Sequence, residues 1–71
     1  MHQAETVREV LQQMAVGFCG AKYDCVVWRR SETHWQVGQN AASKSYTLDD
    51  AVKFICSVNG FIYDQTLDLR R

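Results

Sequence analysis

The side chains with the most chemical potential lie mid-chain, in the stretch KYDCVVWRRSETHWQVGQ at residues 22–39. Cys25 and His34 could suggest a nucleophile and its base on neighbouring strands. A reactive thiol needs an electropositive, partly exposed setting and an oriented base. The pattern denies it both. Tyr23, Cys25 and Val27 share one parity and His34 has the other, so an extended chain puts thiol and imidazole on opposite faces. Cys19, beside Gly20, is better placed for exposure but has no partner in evidence. Asp49 and Asp50 fall where a helix starts, and capping explains them; nothing orients Asp64 and Asp68. With only His2 and His34 available, no metal-ligand set forms. The expectation is a protein that is not an enzyme and needs neither metal nor cofactor.

What remains is a surface. Trp28, Arg29, Arg30 and His34 crowd the tip of a hairpin, with Val26 beside them and Trp35 close in sequence. Two tryptophans on opposite faces cannot both lie in one small core, so Trp28 with Val26 reads as a contact surface. Val26, Trp28, Arg29, Arg30 and His34 are therefore the candidate partner-binding residues. Aromatics interleaved with arginines could equally stack bases and hold phosphates, with Arg70 and Arg71 converging on them if the last strand runs beside the hairpin. A formal net charge of zero weakens that nucleic-acid alternative, because such affinity comes largely from phosphate neutralisation.

These residues need elements to hold them. Period-two alternation through residues 22–28 and 33–37, rich in β-branched and aromatic types, predicts two paired strands. A three-residue loop Arg30-Ser31-Glu32 would pair Val27 with Trp35 and Cys25 with Val37. Tyr23, Cys25, Val27, Trp35 and Val37 then share one apolar face, and Val26 and Trp28 lie on the other, beside His34. Before the hairpin, Val7, Val10, Leu11, Met14 and Ala15 make the stripe of an amphipathic helix over residues 6–16, stopped by Gly17 and Gly20. Phe18 is expected to fold back on that stripe.

After a polar loop at residues 40–46, Thr47 caps a second helix. Tyr46 is placed to staple on Ala51, the stripe is Leu48, Ala51, Val52, Ile55 and Val58, and Asn59-Gly60 is the stop. Phe61, Tyr63, Leu67 and Leu69 share parity and predict a last strand, or two short ones, within residues 61–71. The fold class is α+β: a single domain over residues 1–71, a two-layer sandwich in the order α-β-β-α-β, with two amphipathic helices covering one face of an antiparallel hairpin sheet. The segment Tyr46-Thr47-Leu48-Asp49-Asp50-Ala51-Val52 is similar to the helix start in small β-β-α modules, among them antitoxins with a partial ribonuclease-H-like fold. Neither function nor site residues are carried over from that resemblance.

Three cysteines without a C-x-x-C pattern fit free thiols in a reducing compartment rather than a disulfide framework. The N-terminal MHQAETVREV lacks the apolar core of a signal peptide, and no apolar run approaches the ~20 residues of a membrane span. The sequence therefore predicts a small cytoplasmic interaction module, self-associating as a dimer and binding a protein partner, of the kind found among accessory proteins of phages and mobile elements.

Overall fold

The computed structural model describes residues 3–41 and 44–61. Helix α1 (Gln3–Gln13) leads into strands β1 (Cys19–Lys22), β2 (Cys25–Arg29), β3 (His34–Gly38) and β4 (Lys44–Thr47), and helix α2 (Leu48–Asn59) follows. The strands form one antiparallel sheet in the order β1-β2-β3-β4. The class is α+β, but four strands rather than two separate the helices. The strand expected within residues 61–71 lies outside the described residues beyond Phe61.

Both additional strands hide behind weak local signals. β1 is Cys-Gly-Ala-Lys, which has little β propensity. Its turn to β2 consists of Tyr23 and Asp24, both left-handed at φ 53° and 59°, so Lys22 pairs with Cys25. Two residues at positive φ make the turn whose twist matches the strands, normally with Asn-Gly or Asp-Gly. Here side chains hold it instead. Asn59 Nδ2 donates to the Tyr23 carbonyl at 2.7 Å, and the Tyr23 ring meets Phe61 edge-on at 5.8 Å. Tyr23 therefore sits in a turn rather than on the apolar face of a strand. β4, Lys-Ser-Tyr-Thr, takes the last three residues of what reads as a polar loop, together with Thr47.

Helix α2 starts and stops where its residues indicate. The Asp50 amide donates to Thr47 Oγ1 at 3.4 Å, Asp49 and Asp50 occupy the first turn, and Gly60 closes the helix at φ 72° with its N–H on the Cys56 carbonyl. Tyr46 packs against the core cluster that includes Ala51 and also stacks on Phe54, centroids 5.6 Å apart. Both are aromatic, and Phe54 offers far more contact area than a methyl group.

One core joins the elements: Val7, Leu11 and Met14 from α1, Cys25 and Val27 from β2, Trp35 and Val37 from β3, and Ala51, Val52, Ile55 and Cys56 from α2. The odd-numbered positions of β2 and β3 are thus the covered face, as the alternation predicts. The register differs, however. Val27 pairs with Val37 and Trp35 with Arg29, two places from the expected pairing, because the loop is Ser31-Glu32-Thr33. Shifting the loop by one residue moves every pair by two, so each side chain keeps its face.

Arg29 supplies the reason for the shift. Its Nε donates to the Ser31 carbonyl and Nη2 to the Glu32 carbonyl at 3.1 and 2.8 Å, while Ser31 Oγ accepts from the amides of Thr33 and His34. The same guanidinium donates through Nη1 to the carbonyls of Gln12 and Met14, at 3.0 and 2.6 Å, and lies 4.6 Å above the Trp35 ring. Trp35 Nε1 in turn donates to the Leu11 carbonyl at 3.2 Å. Together they satisfy the Leu11 and Gln12 carbonyls, two of those that a helix end leaves orphaned, and that of Met14 just beyond it. α1 accordingly ends at Gln13, short of the predicted residue 16.

Candidate functional site

The uncovered face of the sheet carries the side chains that the core does not use. On β2 these are Val26 and Trp28, continued by Arg30, whose amide still donates to the His34 carbonyl. From β1 come Cys19 and Ala21, directly opposite Trp28 and Val26. His34, Gln36 and Gly38 come from β3, and Ser45 and Thr47 from β4. Ala21 and Gly38 flank Val26 on either side, so the middle of this face is low and Trp28 stands above it. Trp28 is 37% exposed, whereas Trp35 on the other face is 1% exposed.

Arg30 leans on Trp28. Its guanidinium lies 4.3 Å from the ring centroid and donates through Nη1 to Gln36 Oε1 at 2.8 Å. The contact fixes a flexible cation and covers part of the ring. His34 is exposed on the same face, its Nδ1 2.8 Å from Thr33 Oγ1. None of the positions named on this face is acidic. Of the five residues that the sequence groups as partner-binding, Val26, Trp28, Arg30 and His34 share the face, and Arg29 points inward to the α1 junction. Cys19, Ala21, Gln36 and Gly38 belong to the surface too. The signal for Gly38 and Gln36 is their parity in β3; Cys19 and Ala21 became visible only once β1 was.

Nothing on this face or elsewhere among the described residues assembles an acid, a base and a nucleophile. Cys25 is buried and His34 exposed on the opposite face. Burial pushes the Cys25 thiol up from its usual range, and the neighbouring Asp24 carboxylate adds to the shift. Burial also raises Cys56, partly offset by Arg8. Raised thiols are poor nucleophiles at neutral pH. A thiol reagent added to native protein should therefore titrate exposed Cys19 at once, and Cys25 and Cys56 only on unfolding. Rapid reaction of all three in the native state would refute this packing. The sign of the linkage follows too: these two neutral thiols stabilise the fold fully below the unfolded thiol value of ~8.5, and less as pH rises through their folded values.

Among the described residues there is no group of three or more His, Cys, Asp or Glu able to hold a metal, and no helix long and apolar enough to cross a membrane. No family model, curated protein or solved structure matches the chain. The functional reading therefore rests on the exposed sheet face.

Proposed function

We propose that this protein is a non-enzymatic interaction module that self-associates and meets a protein partner through the open face of its sheet. The observation that carries the reading is Trp28, a large aromatic 37% exposed above a low apolar centre of Val26, Ala21 and Gly38. Exposed aromatics of this kind are enriched at interfaces. Buried free thiols favour a reducing compartment, consistent with the cytoplasm.

Geometry bounds the strength of self-association. Four strands ~4.8 Å apart, each rising ~3.3 Å per residue over four or five residues, give a face on the order of 300 Å². A stable complex buries about 800 Å² per partner. A homodimer through this face alone is therefore weak and concentration-dependent. Light scattering over a series from micromolar to millimolar should show mass rising with concentration, and Trp28→Ala should abolish the rise while leaving the cooperative melt intact. A strict monomer throughout, with Trp28 fluorescence fully solvated, would leave self-association without support.

One observation favours a second reading, single-stranded nucleic acid on the same face. Arg30 and His34 stand beside an exposed indole with no acidic side chain among the face positions, and bases stack on such rings. Net neutrality and the inward commitment of Arg29 weigh against it. A gel-shift titration at low salt discriminates, since electrostatic binding is strongest there. No shift at tens of micromolar would end this reading.

A further inference from the structure

Helix α2 ends on Asn59-Gly60, and that pair carries a chemistry of its own. Of the chain's two asparagines, Asn40 precedes Ala41 and Asn59 precedes Gly60. The backbone nitrogen that follows an asparagine can attack the side-chain amide carbon and expel ammonia. A glycine presents that nitrogen with no side chain in the way, and it gives the backbone freedom to reach the ring-closing conformation. In an unfolded chain Asn59 is therefore the more labile of the two.

The fold holds both reacting groups away from that step. Asn59 is the last residue of α2, and its Nδ2 donates to the Tyr23 carbonyl at 2.7 Å and to the Ile55 carbonyl at 3.0 Å. Both partners only accept, so the position needs the two N–H groups of an amide. The Gly60 N–H donates to the Cys56 carbonyl, which also accepts from Phe61 at 2.9 Å. Nucleophile and electrophile are thus tied to different carbonyls. These ties lie at a helix terminus, where Gly60 is exposed and Asn59 half-buried, and terminal turns open at little free-energy cost.

We propose that Asn59 is a deamidation site gated by the last turn of α2, and that its modification irreversibly releases the β1–β2 turn. When the last turn frays, solvent base takes the Gly60 N–H proton and the nitrogen bonds to Asn59 Cγ. The Cγ–Nδ2 bond then breaks, and Nδ2 leaves as ammonia. Water opens the resulting cyclic imide at one of its two carbonyls. The product is an ordinary aspartate, or one whose backbone runs through the side-chain carbon. Water and a solvent base are the only co-reactants. Once ionised, the new carboxylate only accepts, and it faces two carbonyl oxygens to which the amide donated. It also sets negative charge at the negative end of the helix dipole. The bond lost is the one that holds Tyr23 and Asp24, left-handed at φ 53° and 59° without a glycine. The inference is independent of the open face carrying Trp28.

Peptide mapping by mass spectrometry tests the gate. The full chain is held at one mildly alkaline pH, native or unfolded in urea, and conversion at Asn59 is followed in time. The native rate is expected to be about 10-fold or more below the rate in urea, because only the frayed fraction reacts. Phe61→Ala removes the ring that meets Tyr23 edge-on, and should raise the native rate several-fold while the cooperative melt persists. Equal rates with and without urea would overturn the gate. So would a native sample still unconverted once the urea sample has reacted fully. Asn59→Asp supplies the product's charge directly, whatever the folding of the Phe61 variant. Its Tyr23 and Asp24 NMR amide shifts should move toward open-chain values while those of Val27 and Trp35 stay in place. Unmoved Tyr23 and Asp24 signals, or core signals that move with them, would overturn the release.

Discussion

Trp35→Ala is expected to leave the protein largely unfolded at room temperature. The side chain is 1% exposed at the centre of the core, and truncating a buried aromatic of this size costs about 3–5 kcal/mol. A core this small seldom supplies more than ~3–5 kcal/mol in total. Two further losses follow from its position. The Leu11 carbonyl loses its indole donor, and Arg29 loses the ring beneath it. Trp35→Phe separates the contributions, since it keeps most of the apolar volume but leaves that carbonyl without its partner; about 1–3 kcal/mol is expected from the unsatisfied acceptor and the lost volume together. Circular dichroism melts of both variants are the measurement. A Trp35→Ala protein with a cooperative transition near that of the parent would mean that the covered face has been assigned to the wrong side of the hairpin.

The second large effect is expected at Arg29, and it contrasts with its neighbour. Arg29 donates to the backbone carbonyls of Gln12, Met14, Ser31 and Glu32 and stacks on Trp35. Hydrogen bonds from a charged donor contribute roughly 1.5–3 kcal/mol each when sheltered, but the contacts to Gln12 and Glu32 are exposed, so a total of about 2–4 kcal/mol for Arg29→Ala is the reasonable scale. Arg29→Lys should recover little, because an ammonium cannot present a planar fork to carbonyls on two elements. Arg30→Ala should change stability by no more than ~0.5 kcal/mol, its contacts to Trp28 and Gln36 being on the surface. Denaturant titrations of the three variants compare them directly. Equal losses for Arg29→Ala and Arg30→Ala would contradict the assignment of Arg29 to the helix junction.

Parts of this fold are legible in the residue pattern because burial imposes a period. The stripes of α1 and α2 and the alternation of β2 and β3 all reflect one buried face, and the Thr47 cap and Gly60 stop follow from local backbone chemistry. β1 and β4 escape because they are short edge strands with little to bury. Their residues, Cys-Gly-Ala-Lys and Lys-Ser-Tyr-Thr, alternate in nothing that a hydropathy pattern registers. The Tyr23-Asp24 turn escapes because its left-handed geometry is enforced from α2, through Asn59, rather than by a glycine within it. The same limit applies to the candidate site. Parity alone places Val26, Trp28 and His34 together, but it cannot tell that Arg29 bends back to the end of α1 while Arg30 stays outside.

That junction also shapes how the sequence can change. The hydrogen bonds from Arg29 and Trp35 to the end of α1 all go to main-chain oxygens, those of Leu11, Gln12 and, just beyond the helix, Met14. Carbonyls are common to every residue, so the exposed positions Gln12 and Gln13 are free to drift in identity without loosening the grip. What the clasp does fix is spacing. Adding or removing one residue between Leu11 and Met14 would rotate the chain beyond it by about 100° relative to the turn anchored in the core, and turn the Met14 oxygen away from its donor. At this point the chain tolerates altered spelling but not an altered number of letters.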